Sequence, residues 1–272
     1  MRAEEFLKSG DLDGALSALQ DSIRANSADA KLRIFLFQLL CVRGEWNRAV
    51  AQLKLSAELD PSAVPMAQTY REGIICEVYR EKVFAGEKAP LVFGEPQEWV
   101  ALMIEATKLQ AAGQAAEAAA IRVRAFDAAP AVSGEIDGKR FEWIADADMR
   151  LGPLLEVIVN GRYFWMPFGA ISAVEFDEPA DLRDIVWTPA TITLANGGDV
   201  VALIPTRYAG TTTRGGASEK LARSTVWEDL GHDTFAGVGQ RLLATDFGDV
   251  ALMDVRKLRL DAAGAWDTAS DV

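Results

Sequence analysis

The sequence predicts an α+β protein in which an N-terminal α-helical repeat domain, residues 1–130, precedes a small antiparallel β-barrel-like domain, residues 131–272. Two observations lead to this prediction. A short sequence motif containing glycine and alanine recurs three times in the first half. From Phe141 onwards, the sequence consists of short runs of residues that favour strands, separated by turn residues. Half of the 272 residues are apolar, so the chain can bury a sizeable core.

The repeated motif begins at Gly10, Gly44 and Gly113. The first two copies are 34 residues apart and the third is 69 residues further on, which is close to two more periods of the tetratricopeptide repeat. The glycine suits the left-handed end of one helix, and an alanine five residues later allows two helices to approach closely. The third copy is the most divergent, because Arg122 stands where the others have leucine.

Two further helices are predicted between the second and third copies, on either side of a glycine- and proline-containing segment at residues 85–96. Each has an apolar stripe at helical spacing. The stripes are Met66, Tyr70, Ile74 and Val78, and Trp99, Leu102, Ala106 and Leu109. We therefore expect about seven helices before Pro130.

The second half is predicted to consist of short antiparallel strands. Asn160-Gly161 lies between two apolar runs, which is the strongest short-range signal for a hairpin. The turns at residues 196–198 and 246–249 indicate two more. The predicted strands are Phe141–Ala145, Leu154–Val159, Arg162–Pro167, Ser172–Phe176, Ala190–Leu194, Val200–Ile204, Gln240–Thr245, Val250–Asp254 and Arg256–Leu260.

Three segments of the second half are expected not to form strands. Residues 211–219 are rich in Gly, Thr and Ser and are predicted to be a mobile loop. A helix is predicted from Ser218 to Leu230. The tail from Ala262 has little apolar surface to bury and is expected to fray.

The charge of the chain favours a protein partner. The formal net charge is −12, and residues 131–272 carry 13 basic and 22 acidic side chains against 15 and 18 in residues 1–130. Without a basic block, such a chain is not expected to bind nucleic acid. It also has no apolar run long enough for a membrane span and no signal segment, which predicts a cytoplasmic protein. Cys41 and Cys76 are expected to be buried, reduced thiols.

The chain offers few candidates for chemistry. Glu142, Asp146 and Asp148 could supply oxygen ligands to a divalent cation, although acids beside an arginine more often form caps and ion pairs. His232 is the only histidine, and it is expected to be a solvated turn residue rather than a general base. No phosphate-binding loop is present in the sequence, and no cofactor is predicted.

Arginines close to aromatic residues form the strongest candidate for a binding site. Such combinations are typical of interface hot spots, but they also join domains through stacking and bidentate pairs, and both interpretations stay open. The candidate protein-binding residues are Arg162, Trp165, Arg183, Asp184, Trp187, Arg207 and Tyr208.

The run Asn160-Gly161-Arg162-Tyr163-Phe164-Trp165-Met166-Pro167-Phe168 resembles the ImpE family, also called SciE or TagJ. The similarity continues through Glu175-Phe176, Asp181-Leu182-Arg183-Asp184, Trp187 and Arg207-Tyr208, and upstream through Phe141-Glu142-Trp143 and residues 145–153. The resemblance implies a non-catalytic accessory protein of bacterial type VI secretion systems. It also implies association with the small sheath subunit TssB and, through it, with the ATPase ClpV.

Three functional hypotheses follow. The first is an adaptor whose repeat groove holds an amphipathic helix of the partner, although so short an array could instead only support the second domain. The second is a metal-dependent enzyme of unknown substrate that uses Glu142, Asp146 and Asp148. The third is a structural regulator that acts by self-association.

Overall fold

The N-terminal half is an array of antiparallel helices. A computed structural model of the chain describes residues 2–94 and 97–261. The expected fraying from Ala262 concerns residues outside these ranges. Seven α-helices precede Pro130 in the described residues, as the sequence predicts: α1 Ala3–Ser9, α2 Leu12–Ala25, α3 Ala30–Arg43, α4 Trp46–Leu59, α5 Val64–Phe84, α6 Glu98–Ala111 and α7 Ala115–Ala128.

The glycines and alanines of the repeated motif have the predicted structural roles. Gly10, Gly44 and Gly113 follow α1, α3 and α6 with φ of 81°, 76° and 79°, the left-handed region that glycine enters without steric cost. The alanines five residues later, Ala15, Ala49 and Ala118, are fully buried where paired helices meet. The third helical pair, α6 and α7, is therefore confirmed despite the divergence of its sequence.

Up to residue 261, the C-terminal half contains most of the strands, together with two short helices, α8 Thr211–Arg214 and α9 Ala217–Lys220. One strand comes from the first half. The strands are β1 Leu91–Val92, β2 Gly134–Ile136, β3 Lys139–Phe141, β4 Ile144–Asp146, β5 Leu154–Val159, β6 Arg162–Pro167, β7 Ile171–Phe176, β8 Trp187–Leu194, β9 Asp199–Pro205, β10 Thr225–Asp229, β11 Phe235–Gly239, β12 Leu242–Thr245, β13 Gly248–Ala251 and β14 Lys257–Leu260.

The β5–β6 hairpin has the predicted bounds. Val159 pairs with Arg162, and Asn160 and Gly161 both have positive φ, 49° and 68°, as the tight two-residue turn requires. The turn at residues 196–198 joins β8 to β9 as an antiparallel pair, and Asp246-Phe247 joins β12 to β13.

The prediction of a barrel is wrong. Nine strands form one open sheet in the order β1-β6-β5-β9-β8-β7-β14-β2-β3, with β1 and β3 at opposite edges. Two smaller sheets, β10-β11 and β13-β12-β4, hold the remaining strands. The large sheet does not need to close on itself, because helices cover one face of β5, β6, β8 and β9, and the opposite face buries a separate apolar cluster.

Two local predictions are also wrong. The helix predicted over Ser218–Leu230 ends at Lys220, and strand β10 follows, because Thr225, Val226 and Trp227 favour an extended chain. Residues 211–219 contain the two short helices rather than an irregular loop. Strand β11 was not predicted from its sequence, Phe-Ala-Gly-Val-Gly.

The helices and the sheet share one core. Trp165 and Trp187 of the sheet belong to the same apolar cluster as Phe37 of α3 and Ile74 of α5. Strand β1, from the connection between α5 and α6, adds to the large sheet in parallel with β6. A division at residue 130 stays a prediction. No helix in the described residues is long and apolar enough to cross a membrane.

Candidate functional site: the seam between helices and sheet

A buried ion pair joins α5 to the large sheet. Arg80 Nε donates to Glu156 Oε1 over 2.6 Å, and its NH2 group donates to Oε2 over 2.7 Å. Arg80 also donates to the carbonyl of Arg207 over 2.8 Å and lies 3.3 Å from the carboxylate of Glu77. We call this boundary, where α1, α3 and α5 meet the C-terminal half, the seam.

Glu156 is the centre of this buried network. It accepts hydrogen bonds from Tyr163 and Arg241 in addition to Arg80, and Trp165 in turn donates to Tyr163 over 2.7 Å. Burial alone would raise the pKa of Glu156, but Arg80 and Arg241 lower it to about 2. The carboxylate is therefore ionised and fully occupied by protein donors.

Asp146 and Asp148, two of the three candidate metal ligands, are engaged in the same region, whereas Glu142 is exposed. Asp146 pairs with Arg241, and burial raises the pKa of Asp146 to about 7 although Arg241 opposes the shift. Asp148 accepts from Arg150 over 2.9 Å and from Gly237 N over 3.0 Å. The described residues contain no group of His, Cys, Asp and Glu side chains that could hold a metal ion.

Arginines of the C-terminal half cap the ends of two repeat helices. Arg207 NH1 donates to Val42 O over 2.9 Å and NH2 donates to Cys41 O over 3.2 Å, at the C-terminus of α3. Arg223 NH2 donates to Leu7 O over 2.8 Å near the end of α1. The carbonyls of Leu7 and Cys41 also accept from the capping glycines Gly10 and Gly44, and a cation at the C-terminus of a helix interacts favourably with the helix dipole.

The turn glycines of the first two repeats, Gly10 and Gly44, approach the same segment of the C-terminal half. A Cβ atom added to Gly44 would lie 2.5 Å from Thr212 Cβ, and one added to Gly10 would lie 3.9 Å from Ala217. From the sequence, these glycines are explained by helix termination alone. At Gly44, the structure adds a second reason, close contact with α8.

Aromatic side chains fill the seam beside α3. Trp187 donates to Glu77 over 3.1 Å, and its ring lies 5.8 Å from Tyr70 and 6.2 Å from Trp46. The guanidinium of Arg183 lies 4.7 Å from the centre of the Tyr70 ring. The array face that could have formed a groove is therefore covered by the chain itself, which favours the supporting role of the repeats.

The seam leaves little empty space. A cleft lined by Glu77, Arg80, Arg207, Tyr208 and Thr211 has a volume of about 10 Å³, which is room for a single water molecule. A small-molecule site has a volume of hundreds of Å³. This cleft can therefore accommodate hydration but not a substrate.

The predicted protein-binding residues gather mainly at the seam. Arg183 is partly buried and pairs with Asp181, whereas Asp184 accepts from the backbone of Ala180 and Asp181. Arg162, at the tip of the β5–β6 hairpin, is exposed. The fully or almost fully buried members are Trp165, Asp184, Trp187, Arg207 and Tyr208. Their burial disfavours direct contact with a partner, and a binding role for the set stays a prediction.

Sequence reasoning missed the central residues of the network. Glu156 is the only polar residue in the apolar run Leu154–Val159, and this was the available signal. Arg80 and Arg241 lie 76 and 85 residues away, and no local pattern links them to Glu156. His232 lies in an exposed turn with φ 53°, as predicted, and Cys41 and Cys76 are free and buried.

Comparison with known proteins places this geometry in context. The sequence profile of the ImpE protein family matches residues 138–259, and a tetratricopeptide repeat profile matches residues 6–69. The chain is 52% identical to the type VI secretion system accessory component TagJ of Pseudomonas aeruginosa, over 97% of this chain and 93% of that protein. A crystal structure of a Vibrio parahaemolyticus protein, 24% identical, superposes with a TM-score of 0.87 over 95% of this chain and 97% of that one.

Proposed function

The chain belongs to the ImpE family, and from this premise we propose that it is a non-catalytic accessory component of a bacterial type VI secretion system. The similarity to TagJ carries the proposal, because it extends over both the helices and the sheet. The geometry supports a non-enzymatic role. Two of the three carboxylates considered for a metal enzyme, Asp146 and Asp148, are paired with Arg241 and Arg150, and the seam cleft has room for only about one water molecule.

The proposed partner is the small sheath subunit TssB, which would connect this protein to the ATPase ClpV in the cytoplasm. These partners follow from the family resemblance. We propose that TssB contributes an amphipathic helix, because binding between helices requires only an exposed apolar stripe and no deep pocket.

The outward face of α5 offers such a stripe. Ile75 is 53% exposed and Val78 is 37% exposed, and they are three residues apart on the helix. Val64, eleven residues before Ile75, is also exposed and falls on the same side, since eleven residues complete about three turns. The opposite side of α5 is fixed in the seam through Arg80, so the stripe is held rigidly.

The test is a titration of the full-length protein with a peptide of the N-terminal helix of TssB from the same secretion system. We expect saturable binding that falls at least about tenfold, or 1.4 kcal/mol, in Ile75→Glu and in Val78→Glu. Val123→Glu is the matched control, because Val123 is 58% exposed on α7, outside the stripe. Thermal melting of each variant checks the fold.

The possible outcomes distinguish the sheath-adaptor function from the choice of α5 as the binding surface. Absence of saturable binding to the intact protein would remove the sheath-adaptor function. Binding that survives both α5 variants would retain the function and move the site to another surface. Co-elution of ClpV only when TssB is present would support the indirect link to the ATPase.

A further inference from the structure

The hairpin of β10 and β11 has one occupied edge and one open edge. Gln240 N donates to Ser224 O and Leu230 N donates to Thr234 O. Because hydrogen-bonded and non-hydrogen-bonded pairs alternate along an antiparallel ladder, these two bonds show which residues of β10 are bonded to β11. Val226 and Glu228 therefore exchange hydrogen bonds with β11. The backbone groups of Thr225, Trp227 and Asp229 point away from it, and within residues 2–94 and 97–261 they have no hydrogen-bond partner.

Most of the corresponding groups of β11 have partners. Phe235 O accepts from Met149 N over 3.2 Å, Gly237 N donates to Asp148 Oδ2 over 3.0 Å, and Gly239 N donates to Thr211 Oγ1 over 2.9 Å. Gly239 O accepts from Tyr208 N over 2.9 Å. The hairpin is thus anchored along β11, and β10 presents a fixed row of donors and acceptors.

The side chains of β10 divide into an apolar and an acidic half. Val226 and Trp227 are 48% and 39% exposed, and the ring centres of Trp227 and Tyr208 lie 5.7 Å apart. Glu228, which pairs with Arg214 of α8, and Asp229 follow, and residues 225–235 contain three acids and no lysine or arginine. A strand that pairs with this edge would meet two apolar and then two acidic residues.

We propose that the open edge of β10 binds an extended segment of a protein partner as an additional strand. The residues of that segment opposite Val226 and Trp227 are apolar, and those opposite Glu228 and Asp229 are basic. Backbone hydrogen bonds with Thr225, Trp227 and Asp229 provide the affinity, and the side chains of β10 provide the specificity for the partner sequence. The inference does not depend on the proposed function, since it concerns an extended segment and leaves α5 uninvolved.

Charge decides against a second copy of this chain as the occupant. Each copy has a net charge of −12, so association at β10 would bring two acidic surfaces together. An antiparallel pairing of β10 with itself centred on Trp227 would also place Val226 opposite Glu228. Acidic residues on an edge strand oppose such self-association and leave the edge available to a basic segment.

The test uses the full-length protein and the synthetic peptide Ser-Arg-Lys-Val-Ile-Thr-Ser. In antiparallel pairing its Arg, Lys, Val and Ile lie opposite Asp229, Glu228, Trp227 and Val226. The amide of the peptide Val then points to β10 and that of the Ile to solvent. We expect saturable binding at or below about 1 mM, at least tenfold weaker binding after N-methylation of Val, and less than a twofold change after N-methylation of Ile.

Amide exchange and a charge variant complete the test. Peptide binding should slow exchange of the Trp227 and Asp229 amides at least tenfold. Asp229→Asn, which keeps the oxygen that accepts from Gly231 N, should weaken binding several-fold, whereas Asp127→Asn, at an exposed position on α7, should not.

Three results would overturn the proposal. They are no binding at 1 mM, equal effects of the two N-methyl groups, and unchanged exchange at Trp227. Concentration-dependent dimers that protect Trp227 without peptide would instead assign the edge to a second copy. Because none of these readouts involves TssB, failure here is distinct from failure of the sheath-adaptor proposal.

Discussion

Arg80 of α5 and Glu156 of β5 form a two-bond ion pair at the boundary between the helices and the sheet, and both side chains are buried. Glu156 also accepts from Arg241, which in turn donates to Pro205 O over 2.9 Å. One carboxylate thereby connects a repeat helix to two separate segments of the C-terminal half.

The first prediction concerns removal of this carboxylate. Glu156→Gln should lower the free energy of unfolding by about 3–5 kcal/mol, because it leaves Arg80 and Arg241 as buried cations without their shared counterion. Urea denaturation monitored by tryptophan fluorescence measures the change. Glu175→Gln is the control, since the Glu175–Lys257 pair is exposed and its loss should leave stability unchanged. A loss below about 1 kcal/mol in Glu156→Gln would show that the network contributes little.

The second prediction concerns pH. Burial raises the pKa of Asp146 to about 7 in the folded protein, against about 3.9 in an unfolded chain. The folded state therefore binds more protons between about pH 4 and 7, and the Asp146 contribution to stability falls as pH rises through that window. Relative to Asp146→Asn, the native protein should lose up to about 1.4 kcal/mol per pH unit.

Urea denaturation at pH 5, 6 and 7 checks this slope, and parallel curves for the two proteins would contradict it. Glu156 acts in the opposite direction. Its pKa is lowered to about 2, so its contribution is present above about pH 4.5 and is lost as pH falls from there towards 2. The chosen range of pH 5–7 isolates Asp146 from this effect.

The third prediction uses two repeat glycines with the same backbone conformation and different surroundings. The methyl group of Gly113→Ala meets no atom of the described residues within 4 Å, so the substitution should cost only the left-handed strain of about 1–2 kcal/mol. Gly44→Ala should cost about 1–3 kcal/mol more, because its Cβ would collide with Thr212. Thermal and urea unfolding give both values.

A second-site variant tests the cause of the difference. Thr212→Gly removes the atoms that the new methyl group would meet, so it should bring the cost of Gly44→Ala close to that of Gly113→Ala. Equal costs for the two glycines in the native background would show that α8 yields readily at this contact.

Local chemistry explains which parts of the fold were predictable. Asn160-Gly161 fixes a two-residue turn regardless of the rest of the molecule, and the bounds of β5 and β6 were predicted correctly. Gly44 and Ala49 likewise reflect the geometry within one helical pair. By contrast, β11 contains Gly237 because Tyr208 lies only 2.1 Å from where its Cβ would be, a contact between distant segments. No local propensity contains that information.

The candidate site was less predictable for the same reason. Arg207 beside Tyr208 was recognised as an interface combination, but its acceptors include two carbonyls of α3, 165 and 166 residues away. The interface it serves is within the chain. The open edge of β10 was missed because a helix was predicted there, although its β-branched and aromatic residues favoured a strand.

The fourth prediction is that residues 1–130 do not form an independent soluble domain. The seven consecutive residues Leu36–Val42 of α3 are buried in the intact chain, and Tyr70 of α5 packs against Trp187 of β8. Removal of the C-terminal half would expose this apolar face and leave the α3 carbonyls without Arg207. An exposed apolar surface of this kind promotes association.

Size-exclusion chromatography with light scattering should therefore show that residues 1–130 aggregate or form oligomers, whereas the full chain elutes at a defined mass. Co-expression with residues 131–272 as a separate chain is the matched control, and it should restore a soluble complex of the two fragments. A monomeric fragment 1–130 with a cooperative melting transition would mean that the repeats fold alone. In that case, the seam would join two separable domains instead of completing one core.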